Sequence, residues 1–257
     1  MRSIFIFFYK IKFFKRLAPS ILKIIIKYFN FENTIIIHKG LLFYLNLRNP
    51  IDREVYLKNN YEKKQIEFLT KAIIDNDIRI FLDIGAHMGF YSINMSKHNL
   101  KIYAFEPIRK NFEQIKKNIL LNKLINFEAN NIALSDVKKD IVMWVPVRDK
   151  TGGFSVHNNK DEELKKYNLV SIHKEMSKSD LGDNIIKYKQ SRIAIKIDVE
   201  RHEKEVINGM IILLKNNEVI VQVEIFDART KVIFELFDEI NYKFFYSIDR
   251  DYYFKNF

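Results

Sequence analysis

The residues best placed to do chemistry stand between Phe81 and Pro107. The segment Phe81–Tyr91 reads FLDIGAHMGFY, an apolar run ending in Asp83 that turns into a helix between Gly85 and Gly89. The chain has only 7 glycines, so this pair stands out. Glycine allows a ligand to approach the backbone where a strand becomes a helix, and open parallel sheets bind ligands at the carboxyl ends of their strands. The next apolar run ends in FEP, which puts Glu106 about 20 residues after the first glycine, where an acid can accept both hydroxyls of a ribose. A dinucleotide would need G-x-G-x-x-G, whose middle glycine lets the pyrophosphate sit on the helix N-terminus. Here the spacing is G-x-x-x-G with His87 inside it, and a carboxylate precedes the first glycine. That carboxylate would repel a pyrophosphate but suits a cation. S-adenosylmethionine, with a sulfonium, an ammonium and a ribose, fits these residues better than a nicotinamide dinucleotide, and a nicotinamide-dependent oxidoreductase is the lesser reading.

The elements that must position these residues follow from the patterning. Thr34–Leu47 reads as a hairpin turning near Lys39-Gly40, and Tyr61–Asp75 carries a helical stripe. Strands and helices then alternate. Strands are expected at Arg79–Ile84, Lys101–Phe105, Asn126–Leu134, Arg192–Val199 and Glu218–Phe226. Helices are expected at Met88–Lys97, Arg109–Asn122, Glu203–Lys215 and Arg229–Ile240. Residues 136–190 interrupt the rhythm with strand-like pieces at Ile141–Val147 and Val170–His173, a glycine pair at 152–153 and a charged run at 161–166. The closing aromatic strands, Tyr242–Ile248 and Tyr252–Phe257, would add an antiparallel edge. Alternation of this kind implies an α/β fold, a parallel sheet with helices on both faces. The expected organisation is a basic segment at 1–30, a hairpin and helix at 31–78, and a main domain at 79–257 with an insert at about 136–190.

Four blocks resemble the FkbM-type S-adenosylmethionine-dependent methyltransferases: FLDIGAHMGFYS (81–92), YAFEP (103–107) with NILLN (118–122), IALSD (132–136) and KIDVERHE (196–203). The resemblance implies a class I, Rossmann-like methyltransferase sheet of seven mostly parallel strands with an antiparallel C-terminal strand. It implies methyl transfer from S-adenosylmethionine, usually to an oxygen of a glycan or natural-product precursor. Carried onto this chain, Asp83, Gly85, His87 and Gly89 would line the methionine end, Glu106 would hold the ribose and Asn131–Ala133 would pass the adenine. Asp198 would face the methyl group and the acceptor. His87 stands where the family has Asn, and Arg201 where it has the Gly of E-G-H-E. Arg201 keeps a catalytically silent binding or assembly subunit in view as an alternative.

A hydroxyl acceptor needs a base within hydrogen-bond reach. His202 is the first candidate, because its unperturbed pKa of about 6.5 suits neutral pH; Asp198, Glu200 and Glu224 are the others. Nothing in the spacing of Asp198, Glu200, His202 and Glu203 forces a metal, so none is expected, and His157 and His173 have no ligand spacing around them. With no Cys, disulfides, Cys-zinc sites, Fe–S clusters and thiol nucleophiles are excluded.

Of the net charge of +11, seven positive charges fall within residues 1–30 (Arg2, Lys10, Lys12, Lys15, Arg16, Lys23 and Lys27), where no acid occurs. The remaining chain is close to neutral, which disfavours nucleic acid as a partner. Lysines interrupt every apolar run there, which argues against a membrane span or a cleaved signal peptide. The expectation is a cytoplasmic enzyme with peripheral contact to the inner membrane face through residues 1–30. Its acceptor would be a small molecule or glycan. Oligomeric state is not legible.

Overall fold

The structure is a computed structural model that describes residues 2, 6, 9, 17–29, 31–58, 60–146, 172–226 and 229–257. Most of residues 1–16, the glycine pair at 152–153, His157 and the charged run at 161–166 lie outside the described residues. In chain order the elements are α1 (Ala18–Phe29), β1 (Asn33–His38), β2 (Leu41–Asn46), α2 (Pro50–Leu57), α3 (Lys63–Asp75), β3 (Ile80–Ile84), α4 (Phe90–Met95), β4 (Lys101–Phe105), α5 (Arg109–Leu121), β5 (Phe127–Asn130) and β6 (Ala133–Leu134). They continue with β7 (Lys139–Pro146), β8 (Ile172–Asp180), α6 (Gly182–Ile185), β9 (Arg192–Ile197), α7 (Glu203–Asn208), α8 (Ile211–Asn216), β10 (Glu218–Glu224), α9 (Thr230–Glu239), β11 (Lys243–Ile248) and β12 (Asp251–Lys255).

Seven strands form the main sheet in the order β11-β12-β10-β9-β3-β4-β5. Strands β3, β4, β5, β9 and β10 run parallel, and β12 pairs antiparallel with both β10 and β11. The antiparallel strand is therefore inserted between two others and is not the edge strand the sequence suggested.

Three further expectations change. Asn126–Leu134 is two strands: β5 completes the main sheet, whereas β6 joins a separate three-stranded sheet with β8 and β7. Between them the Asn131 amide donates to the carbonyls of Glu106 and Pro107, at 2.8 and 3.0 Å, which ends the ladder. The helix expected over Glu203–Lys215 breaks at Gly209, where a Cβ would lie 1.9 Å from the Ser135 carbonyl oxygen. The Asp183 carboxylate then accepts from the amides of Ile212 and Leu213, capping α8. Helix α2 was not expected at all, although Asn49 caps it by accepting from the Ile51 amide and Pro50 opens it.

Alternation along β3 and β9 separates the two faces of the sheet. Leu82, Ile84, Ile193, Ile195 and Ile197 pack into one apolar core with Phe237 and Phe254. The opposite face carries Phe81 and Ala194, which pack into a second core with Leu69 and Phe90. Along that face the register sets Asp83 beside Lys196 and Lys196 beside Gln222. Gln222 is in turn opposite Tyr253 on β12. A row of polar side chains thus crosses four strands inside the protein.

The β1–β2 hairpin turns through Lys39 and Gly40, both at positive φ, as a two-residue turn requires. A two-stranded ribbon is marginal alone, and here α5 binds its backbone. Gln114, Asn118 and Asn122, spaced one helical turn apart, present amides to β2. Gln114 donates to the Tyr44 carbonyl (3.0 Å), Asn118 accepts from the Tyr44 amide (2.7 Å), and Asn122 both accepts from the Leu42 amide (2.9 Å) and donates to its carbonyl (2.7 Å). Asn118 is completely buried and also donates to the Met88 carbonyl. Asn118→Ala should therefore strand buried backbone groups and lower stability by about 1–3 kcal/mol in urea unfolding. The half-buried Asn122→Ala should cost less.

Candidate active site

A cavity opens at the carboxyl ends of β3, β4 and β9. Its lining includes Gly85, His87, Glu106, Ile132, Ala133, Leu134, Asp198, Glu200 and His202. Most of the residues singled out from sequence thus converge here. Asp83, Gly89, Asn131 and Glu224 lie off this lining.

Glu106 is buried, and its carboxyl accepts from three donors: the His87 amide (2.9 Å), the Ile108 amide (2.9 Å) and the Asn111 side chain (3.3 Å). Burial pushes it up to about 8, although those donors favour the charged form. His87 adopts a positive φ of 52°, and its Nε2 lies 3.0 Å from the Asn49 amide nitrogen at the start of α2. Burial lowers its ring to about 4, so it is neutral. Gly85, at φ 81°, is required by a neighbour rather than only by a ligand: a Cβ there would meet the Asp198 carbonyl oxygen at 1.9 Å. The loop that opens the cavity is therefore packed directly on the tip of β9.

Asp83 is turned away from the cavity. Its Oδ2 accepts from the Ser92 amide (3.1 Å) and hydroxyl on α4, while Oδ1 is buried without a hydrogen-bond partner. Lys196, which sequence reasoning passed over within an apolar strand, lies among the acids. Its Nζ is 2.9 Å from Asp198 Oδ2 and 4.6 Å from the centre of the Tyr91 ring. Burial disfavours its charge, but Asp198, Asp83 and Glu62 outweigh that and raise the ammonium above its ordinary range. Alternation along β9 puts Lys196 on the same face as Ala194, and register against β3 and β10 sets it beside Asp83 and Gln222.

A second recess adjoins the cavity and is lined by Glu62, Gln65, Lys196, Asp198, Glu224 and the 249–251 turn. Asp198 belongs to both walls. Burial pushes both Asp198 and Glu224 upward, but Lys196 pulls Asp198 below the usual carboxylate range, while the Asp198 charge raises Glu224 further. Lys196 thus favours the charged form of Asp198, and Asp198 the neutral form of Glu224. Burial also raises Glu62, to about 7. His202 is buried, with Nε2 3.0 Å from the Ser135 hydroxyl and Nδ1 3.5 Å from Glu205. Among the described residues, no group of three or more His, Asp or Glu side chains is arranged to hold a metal ion.

These side chains fit S-adenosylmethionine. Glu106 could accept from ribose hydroxyls, the apolar wall of Ile132, Ala133 and Leu134 would take a flat base, and the ionised Asp198 would face the cationic end. The parallel strand order, with one inserted antiparallel strand and a cavity at the strand tips, defines a class I methyltransferase. The Methyltransferase FkbM domain matches residues 83–254, and the chain belongs to that family of S-adenosylmethionine-dependent methyltransferases. No curated protein matches the chain. Among solved structures, it is similar to the FkbM methyltransferase of Methylobacillus flagellatus KT at 12% identity and a TM-score of 0.46, covering 70% of this chain and 44% of that one. It thus spans less than half of that protein. It is also similar to M. jannaschii TYW2 in complex with AdoMet, at 13% identity and a TM-score of 0.47, covering 87% of this chain and 84% of that one.

Glu200 and Arg201 both have positive φ, 52° and 76°, in the region where a side chain costs energy that glycine avoids. Arg201→Gly should raise the unfolding free energy by about 1 kcal/mol, read from denaturant titration. Ribose hydroxyls donate to a carboxylate, so a ribose held by Glu106 would require its carboxyl to be ionised. Calorimetric affinity for S-adenosylhomocysteine should then rise with pH up to about 8 and level off above it. Glu106→Gln should weaken binding and flatten that profile.

Proposed function

We propose that the protein transfers the methyl group of S-adenosylmethionine to a hydroxyl oxygen on a sugar, a glycan or a lipid-linked glycan precursor. The observation that carries this reading is the position of Asp198 on the wall shared by the two cavities. The first cavity suits the cofactor, held at its ribose by Glu106 and bordered by the Gly85–Gly89 loop. The second suits the acceptor. Its lining is rich in carboxyl and amide oxygens from Glu62, Gln65, Glu224 and Asp251, which are acceptors for the hydroxyl donors of a polyol.

When bound, the cofactor supplies an electrophilic methyl group on a sulfonium. The chain aligns the acceptor oxygen with it, an effect worth up to ~7–11 kcal/mol in well-oriented reactions. Asp198, kept ionised by Lys196, accepts the hydroxyl proton. Glu224, protonated, fixes the orientation of Asp198 through their shared hydrogen bond. Of the four candidates for the base, His202 has its ring engaged by Ser135 and by Glu205, which favours the Asp198–Glu224 pair. Glu200 lines the first cavity beside them.

The test is incubation with methyl-labelled cofactor and a panel of sugars, sugar nucleotides and lipid-linked glycans. Label in alkali-stable methyl ethers supports the reading; label only in amines or alkali-labile esters overturns the choice of acceptor. Asp198→Asn should lower kcat by about 10²–10⁴. His202→Gln should leave kcat within about tenfold of the parent while reducing thermal stability.

A further inference from the structure

We propose that α1 seats the protein on an anionic lipid surface, an interaction independent of which acceptor the active site takes. Helix α1 is apolar on two sides. Leu22 and Ile26 are buried in the core that contains Ile36 and Phe43. On the solvent side Leu17, Ile21 and Ile24 are 43, 44 and 56% exposed. Their spacing of four and three residues places them in one stripe along the first turns of the helix.

A surface helix of a water-borne protein ordinarily turns polar residues outward, so the stripe calls for an occupant. Charge identifies it. Residues 1–30 hold seven basic side chains and no acid. Arg2 is tied to the fold through the carbonyls of Tyr56 and Ile37. The other six cluster in sequence from Lys10 to Lys27 beside and within α1. An apolar stripe within a segment of seven basic and no acidic residues matches the headgroup boundary of a negatively charged leaflet. A 12-residue helix is ~18 Å long, too short to cross a bilayer. No described helix is long and apolar enough to span one. The contact is therefore in the interfacial plane. A second copy of the chain would fit worse, because two such segments would repel.

The experiment is co-sedimentation of the full chain with neutral phosphatidylcholine vesicles and with vesicles containing phosphatidylglycerol. Deleting residues 1–30 is unsuitable, since it would remove the core residues Leu22 and Ile26. The substitutions are instead Ile21→Ser with Ile24→Ser, and separately Lys23→Glu with Lys27→Glu. S-adenosylhomocysteine binding and circular dichroism confirm that each variant is folded. The parent should bind anionic vesicles at least ~tenfold more tightly than neutral ones, and ~1 M salt should reduce that preference. Both variants should lose at least ~tenfold in vesicle affinity with cofactor binding unchanged. Equal binding to both vesicle types, no binding by the parent, or concentration-dependent self-association in place of vesicle binding would overturn the proposal. Should the apolar variant fail to fold, the charge variant alone decides.

Discussion

The buried ammonium of Lys196 is the interaction on which the site depends. It sits at the centre of the sheet with Asp83 beside it on β3, Asp198 two residues on, Glu62 at the start of α3 and the face of Tyr91 above it. Without the cation, several carboxyl groups would be buried within reach of each other, and breaking a buried pair from one side typically costs 3–5 kcal/mol. The same charge lowers Asp198, whose own charge adds to burial in raising Glu224. Gln222 extends the arrangement, donating to the Tyr91 hydroxyl and to Asp251, and so ties α4 and the 249–251 turn to the same row.

Cofactor loop and proposed catalytic tip are mechanically joined. The Asp198 amide donates to the Ile84 carbonyl at 3.0 Å, and the Asp198 carbonyl fills the space a side chain at position 85 would need. The glycine is therefore explained by a strand-to-loop contact as much as by ligand approach. Helix α2 adds a second brace, since Asn49 both caps that helix and meets the His87 ring. His87 at positive φ occupies the place where the family has Asn, a residue that tolerates that conformation well. The imidazole keeps the reach of the amide.

Much of this was legible from sequence. The strand–glycine–helix pattern marked the turn from β3 into α4, FEP marked the tip of β4 where Glu106 meets the cavity, and alternation of apolar runs pointed to the parallel sheet. The position of Lys196 was not read, because a single lysine in RIAIKIDV does not alter the apolar character of the run. Only register against β3 and β10 shows that it faces acids. Asp83 was read as a cavity residue because it precedes the glycine, but strand parity turns it toward α4 and Ser92. The split of Asn126–Leu134 depended on a long-range bond from Asn131 to the Glu106 and Pro107 carbonyls, and the break at Gly209 on close approach to Ser135. The partners in these contacts, unlike the strand parity and the glycine itself, have no local sequence signature. Arg201 was visible as a departure from the family, and the backbone explains what it departs from: a position whose conformation suits glycine.

The amides that α5 lends to β2 have a consequence for how the protein behaves when crowded with copies of itself. An open strand edge is a template for pairing with other chains, and proteins usually blunt it with charge, proline or a bulge. Here the β2 edge is read out by Gln114, Asn118 and Asn122, while on β1 the Ile37 carbonyl is taken by Arg2. Side chains act as the missing neighbouring strands. The β2 edge is thereby closed against intermolecular pairing without the length of chain that a true flanking strand would require.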